Sequence, residues 1–355
     1  MQKALKVTFG AIIAVGVASV HAHAREDFLH NVGITAGVNY SKSTNNGLTF
    51  GDTDVVLNSY LVGANNGFDG PRRHVFVEPE NDWGYNVGLS YHAPGSHTHY
   101  YVNFESFTDE KEDSAENLRN LSVFTGEGPG PDAFVGSFAG GNGRTEHHHQ
   151  EFAAGMKHLL HFGHRFNIDL GAFFEYNKLT RTFYQRNLGV EGAFGFSDTD
   201  EKVHGWGPGV GFGTHTILFR CAPKWGLFVN AKSSLLYTHN DYHQYVEFSD
   251  EAEDGAGFYY YEPEQSKSIV SKFDIKFGID YASNFRSDLG RMCLDIALGM
   301  RYMNMINAFK NGNVYMNTIR QQSDSVDGYA ANLGPANDYG RIGPFLQFKI
   351  GGMRS

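Results

Sequence analysis

The chain has 355 residues, a formal charge of -10, two Cys, and 43 Gly beside 14% aromatic residues. The acid excess argues against a nucleic-acid partner, and two Cys leave room for one disulfide but not for a disulfide scaffold. Abundant Gly with abundant aromatics suits many strands joined by tight turns and ringed by Tyr, Trp and Phe.

Residues 1–24 read as an export signal rather than as part of the fold. Lys3 and Lys6 form a positive start, Val7 to Val20 an apolar stretch, and Ala22-His23-Ala24 a small-residue cleavage site, so the mature chain is expected to begin after Ala24, at Arg25. The apolar stretch is too short for a comfortable membrane helix, and no later segment approaches the roughly 20 apolar residues one needs. Residues 25–355 contain no evident linker and read as a single domain.

The first expected strand is Val32 to Tyr40, in which apolar even positions alternate with polar or Gly odd ones. Residues 42–82 are rich in Gly, Asn and Asp and hold one apolar island, Val55 to Val62, read either as a loop folded into the structure or as an extra strand. Trp83, Tyr85, Val87, Leu89 and Tyr91 mark the second strand, and a turn at Ala93-Pro94-Gly95-Ser96 leads into a third carrying Tyr100, Val102 and Phe104. Residues 109–147 read as a long acidic loop ending in His147, His148 and His149. Gln150 to Tyr176 is then the clearest element of the chain. It is a hairpin of two alternating runs about Gly163-His164, each about as long as the roughly 9 to 11 residues of a tilted membrane-crossing strand.

After a polar segment at 179–203, Trp206, Pro208, Val210 and Phe212 oppose Gly205, Gly207, Gly209, Gly211 and Gly213. One face of this sixth strand is bare backbone, which something bulky can approach. Pro208 and Pro344 each remove a ladder hydrogen bond and are the residues least suited to their strands. A turn at Cys221 to Lys224 precedes the strand Trp225 to Tyr237, and a third long loop is expected at 239–266. Strands at Ile269 to Tyr281 and Arg291 to Tyr302 follow, then a fourth long loop, then a last strand at Arg341 to Ile350.

About ten strands result, with connections that alternate long and short. That rhythm is expected of an all-β, antiparallel, up-and-down transmembrane β-barrel in the outer membrane of a Gram-negative bacterium, with short periplasmic turns and long external loops. A Greek-key sandwich has no reason to produce it. An even strand number also brings the first and last strands together, so that the sheet can close.

Several segments resemble the Legionella major outer membrane protein family of pore-forming barrels: NDWGYNVGLSYH at 81–92, HGWGPGVGFGT at 204–214, LDIALGMRYMNMINA at 294–308 and YGRIGPFLQFKIGG at 339–352. Their order along the chain carries the resemblance, which implies a porin-like function in the passive diffusion of small hydrophilic solutes and ions. The chain ends Met353-Arg354-Ser355 and not on an aromatic residue, so either Phe348 is the mark for the outer-membrane assembly machinery or the insertion signal is atypical.

The inward faces are expected to present seven acids, Glu105, Glu151, Asp169, Glu175, Asp274, Asp280 and Asp295, and seven bases, Lys157, Lys232, Lys272, Lys276, Arg301, Arg341 and Lys349. Such residues line a water-filled pore or pair across a narrow barrel and plug it; the resemblance favours the pore. Acidic external loops imply a weak cation preference and divalent-ion contacts with lipopolysaccharide. No cofactor or metal site is expected. His147 to His149 are consecutive and point to alternating faces, whereas His92, His97, His99, His158, His161 and His164 should gather at neighbouring periplasmic turns. An enzyme is not expected: His239, Asp241 and His243 sit at a rim as in omptin-like proteases, but nothing else resembles one. A surface adhesin, with the barrel only as a mount, is the further alternative. Cys221 and Cys293 fall at the same end of the barrel as a possible disulfide.

Overall fold

The computed structural model describes residues 31–45, 48–54, 72–77, 80–116, 138–163, 165–189, 194–219, 224–250, 255–261, 266–287, 290–312 and 333–352. Thirteen strands run β1 (Val32–Asn45), β2 (Leu48–Asp54), β3 (Arg72–Val77), β4 (Asn81–His92), β5 (Thr98–Glu116), β6 (Phe138–Phe162), β7 (Phe166–Gly189), β8 (Phe194–Ile217), β9 (Lys224–Asp250), β10 (Gly255–Tyr261), β11 (Ser266–Ser287), β12 (Gly290–Gly312) and β13 (Leu333–Gly352).

Ten of them close a single antiparallel barrel in the order β1, β4, β5, β6, β7, β8, β9, β11, β12, β13, with β13 returning to β1. At that seam Gly33 faces Gly351 and Asn45 faces Tyr339 in register. Closure satisfies every edge, which a sheet in lipid requires because no water is present to complete open backbone groups. The remaining strands lie at the loop end. β10 pairs with the far end of β9, from Tyr261 opposite Gln244 to Gly255 opposite Asp250, while β2 and β3 pair with each other and lie against β5 and β6.

Alternation decides which side chain meets which solvent. On the central hairpin Phe152 is 46% exposed and its neighbour Glu151 1%; Phe174 is 51% exposed and Glu175 2%. The outward face is an apolar band with aromatic belts. Tyr40 and Trp83 meet at 4.9 Å between ring centres, and Trp206 joins Phe174 and Tyr237, towards the loop end. Trp225 with Tyr281 and Phe162 with Phe166 mark the turn end. Among the described residues no helix is long and apolar enough to cross a membrane.

The strands outrun the sequence reading. The described residues of the expected loops at 109–147, 179–203 and 239–266 are paired strand: β5 and β6 hold register out to Glu116 and Gly140, β7 and β8 to Leu188 and Phe194, and β9 turns back as β10. Membrane thickness limits the apolar part of a strand only. Beyond it, charged and hydroxyl side chains pair across strands in water, so polarity at 109–116 and 179–203 marks the surroundings and not the end of the sheet. Val55 to Val62, His164 and Cys221 lie outside the described residues. Pro208 and Pro344 point outward, opposite Phe174 and Met300, and cost little packing there. At Asn307, with φ 59°, the β12–β13 register shifts between Met305 and Phe309; the Asn307 N–H donates to Asp338 Oδ1 at 2.9 Å.

Candidate functional site: the lumen

The inward residues fall into layers. Midway along the barrel, seven charged side chains from six strands meet: Glu105 on β5, Glu151 on β6, Glu175 on β7, Lys272 and Asp274 on β11, Arg301 on β12 and Arg341 on β13, none more than 4% exposed. Arg301 grips Asp274 with two bonds, Nε to Oδ1 at 2.9 Å and Nη2 to Oδ2 at 2.7 Å. It also donates to Glu105 and lies 3.7 Å from Glu151. Arg341 donates to the same Glu105 oxygen and covers the Phe107 ring at 4.5 Å. Lys272 reaches Glu151 at 2.8 Å and Glu175 at 3.1 Å, and donates to Asn177 Oδ1 at 3.1 Å. Buried charges persist in a narrow lumen only when paired in this way, because each alone would bear its full desolvation cost.

Towards the loop end an apolar layer lies above the charges: Leu179, Val203, Leu236, Val270, Met303, Met305, Ala308, Phe309 and Tyr339, each at 0 or 1% exposure. Its upper boundary is polar again. Arg181 lies over the Phe309 ring at 4.1 Å and bonds Glu201 at 2.6 Å, and His147 Nδ1–H donates to Asp109 at 3.0 Å. His149 points inward with His147 and donates through Nε2–H to Asn177 Oδ1 at 3.0 Å, whereas His148 turns outward to Thr108. On that outer face, burial and the nearby Lys178 push the His148 imidazole below its ordinary value.

Towards the turn end the lumen opens. Lys157, Lys232, Lys276 and Lys349 face inward and are partly exposed, as are Asp169 and Asp295. Asp280 accepts two bonds from His215 Nε2–H at 3.0 Å. All fourteen residues expected to line a pore point inward: seven meet one another at a mid-barrel waist, none more than 4% exposed, and of the seven towards the turn end Asp280 is buried and the others are partly exposed.

Of the six His expected to gather, the five that are described meet in two groups, His164 lying outside the described residues. His92 and His99 stack at 4.5 Å, and His97 meets His161 at 5.2 Å and His158 at 6.3 Å. Among the described residues no three His, Cys, Asp or Glu are set to hold a metal ion. His239 Nε2 and Asp241 Oδ1 are 3.7 Å apart on the outward face of β9. Cys293 has no disulfide partner among the described residues.

The apolar layer was missed by the sequence reading, which sorted residues by strict alternation. Its signal is the apolar doublet: Leu235-Leu236, Ile269-Val270 and Tyr302-Met303 each put one apolar side chain on either face, where a strand between lipid and water would show only one.

The family profile of the Legionella pneumophila major outer membrane protein precursor matches residues 57–352. Solved structures similar to this chain are also outer-membrane barrels. The outer membrane protease OmpT of Escherichia coli aligns at 10% identity over 92% of this chain and 97% of that one, with a TM-score of 0.45. The translocator domain of the autotransporter NalP from Neisseria meningitidis aligns at 9% identity over 99% and 97%, TM-score 0.31. The toluene transporter TbuX of Ralstonia pickettii aligns at 8% identity over 92% and 91%, TM-score 0.26. A search of curated protein sequences finds no match.

Proposed function

Because the chain belongs to the Legionella major outer membrane protein family, we propose that it is a porin-like outer-membrane channel of low conductance, closed at its waist in the form described. It would pass small hydrophilic solutes and ions by passive diffusion once the waist parts. The observation that carries this reading is the turn-end half of the lumen. Lys157, Lys232, Lys276, Lys349, Asp169 and Asp295 face an accessible interior there, and short turns face the periplasm in outer-membrane barrels. We assign no catalytic activity and no cofactor to the protein. Its partners in this reading are lipid and lipopolysaccharide at the outward face, small solutes in the lumen, and the assembly machinery. The signal at 1–24 would be removed between Ala24 and Arg25, which the N-terminal mass of the mature protein checks.

The seven acids and seven bases of the waist and the turn-end wall balance, so the weak cation preference we propose arises from the acidic external segments. Such attraction is screened over about 10 Å at 0.1 M salt and should fade as salt rises. A second reading is favoured by one observation, the nine-residue apolar layer: the lumen would be permanently plugged, and the barrel would serve as a mount for its external loops. Planar-bilayer conductance of the refolded protein in asymmetric salt separates the two. Small, weakly cation-selective currents are expected. Complete silence, including in a variant with Met303→Gly and Phe309→Ala in the apolar layer, would leave the plugged mount standing, and anion preference would overturn the loop-set selectivity.

A further inference from the structure

The five Gly that bare the inner face of β8 are not equivalent. A methyl group at Gly205 would meet Thr238 Cγ2 at 2.8 Å, one at Gly209 the Phe173 ring at 2.3 Å, and one at Gly213 the Asn230 Oδ1 at 2.6 Å. These positions are glycine because a side chain from another residue already fills the space. At Gly207 the constraint is the backbone of the next strand, with the Leu235 carbonyl oxygen 1.8 Å from where a methyl would stand. Gly211 alone is open: its nearest neighbours, Ala231 O and Lys232 Cγ, would lie 3.9 Å from such a methyl.

The sheet register shows what flanks that opening. Lys157 on β6 faces Gly171 on β7, Gly171 faces Gly211 on β8, and Gly211 faces Lys232 on β9. Two lysines thus bracket two glycines in one row across four strands. Tyr101 spans the row, its ring centre 5.5 Å from Lys157 Nζ and 5.7 Å from Lys232 Nζ. The charges around these ammonium groups differ from those in the waist. Lys272 and Arg301 hold carboxylates at 2.7 to 3.1 Å, whereas among the described residues no carboxylate lies within the 4 Å ion-pair distance of Lys157 or Lys232. The charged neighbours of Lys157 are mainly the cations Lys232, Lys349 and Lys276, with Asp169 the acid; those of Lys232 are Glu151 and Asp274, and Lys272. Lys157 thus lies mostly among like charges, a cost that an anion beside it offsets, while Lys232 has Glu151 and Asp274 as neighbours only beyond ion-pair distance.

We propose that Lys157, Gly171, Gly211 and Lys232 form a lumenal notch that binds a compact oxyanion, a carboxylate or a phosphate, entering from the turn end. The ammonium groups supply charge-assisted hydrogen bonds from two sides, and Gly211 leaves the room a side chain would occupy, whereas at Gly171 a methyl would already meet Met156 O at 3.0 Å and Lys157 Cγ at 3.2 Å. The waist stops the anion from passing further. The notch does not require the lumen to conduct, so it stands or falls separately from the channel reading.

Calorimetric titration of the refolded full-length barrel with inorganic phosphate and with acetate, at matched ionic strength in chloride, tests the notch. Saturable binding of at least one anion is expected. Lys157→Gln with Lys232→Gln should weaken it by at least about tenfold, the order expected from losing charge-assisted bonds. Gly211→Leu keeps both charges but fills the space, and should weaken it comparably. Lys178→Gln, on the outward face of β7 towards the loop end, should change it less than about twofold. Tighter phosphate marks a phosphate site and tighter acetate a carboxylate site. If Gly211→Leu does not fold, the lysine pair decides alone, folding being checked by circular dichroism. No saturable binding of either anion, or binding that the lysine pair leaves unchanged, would overturn the proposal.

Discussion

The two halves of the lumen are built from the same strands and the same alternation, yet the inward side chains of one are sealed from the surface and many of those of the other are partly exposed. In the loop-end half the inward positions are Leu179, Leu236, Val270, Met303 and Phe309, backed by acids and bases that pair one another. In the turn-end half they are lysines with Asp169, Asp280 and Asp295, beside Asn, Gly and the rings of Phe173 and Phe345, and most of the charged groups are partly exposed. Ten strands fix a narrow barrel, but whether it is a corridor or a plug depends on side-chain volume and on whether charges find partners inside the wall.

The comparison breaks most severely at Arg301, which touches three carboxylates of the waist. Arg301→Met should destabilise the refolded barrel by about 3 to 5 kcal/mol, because it leaves buried carboxylates without a cation. Urea unfolding in lipid vesicles measures this, and adding Asp274→Asn should recover part of the loss. The inward and outward faces differ next. Leu170 is 47% exposed on the lipid side, so Leu170→Arg should cost about 2 to 4 kcal/mol if it lies near mid-bilayer, while Asp169→Arg on the lumen side should fold with little change. Equal damage from both would contradict the register.

Within one strand, Gly209 and Gly211 sharpen the contrast between filled and open wall. Gly209→Ala drives a methyl into the Phe173 ring and towards the Ser233 carbonyl oxygen, a clash worth about 1 to 3 kcal/mol. Gly211→Ala should be close to neutral in the same unfolding assay. The smallest effect is one of pH. His148 has a pKa lowered below its ordinary value near 6.5 by burial and by Lys178. It therefore favours the folded state fully above that ordinary value and ever less as pH falls from there through its depressed folded value. Protection factors for hydrogen exchange at the loop-end stretch of β6, corrected for the intrinsic pH dependence of exchange, should fall modestly over that window, and His148→Gln should remove the fall.

The fold was legible because lipid enforces alternation: every strand from Val32 to Ile350 that contacts it shows period two, and the even strand number follows from counting them. Strand length was not legible at 109–116 or 179–203, where water surrounds both faces and polar residues carry no sign of pairing. The inward charges could be named from alternation alone. Which of them would be sealed could not, since Arg341 meets Glu105 across 236 positions of chain and only the closed register brings them together. The Gly face of β8 was readable as bare backbone, but the distinction between Gly209 and Gly211 depends on Phe173, a residue from another strand.

The seam between β1 and β13 also sets an order of events. Glu105 belongs to the third strand of the barrel, while its two cations come from the ninth and tenth. During synthesis and insertion that carboxylate must therefore wait for nearly the whole chain, and an unclosed sheet presents it to water. The waist is then the last part of the molecule to dry, and the contacts that seal the interior are the same ones that report that the barrel has joined its ends. A chain truncated before β13 would lose Arg341 and the seam together, leaving Glu105 as a mark of incomplete assembly.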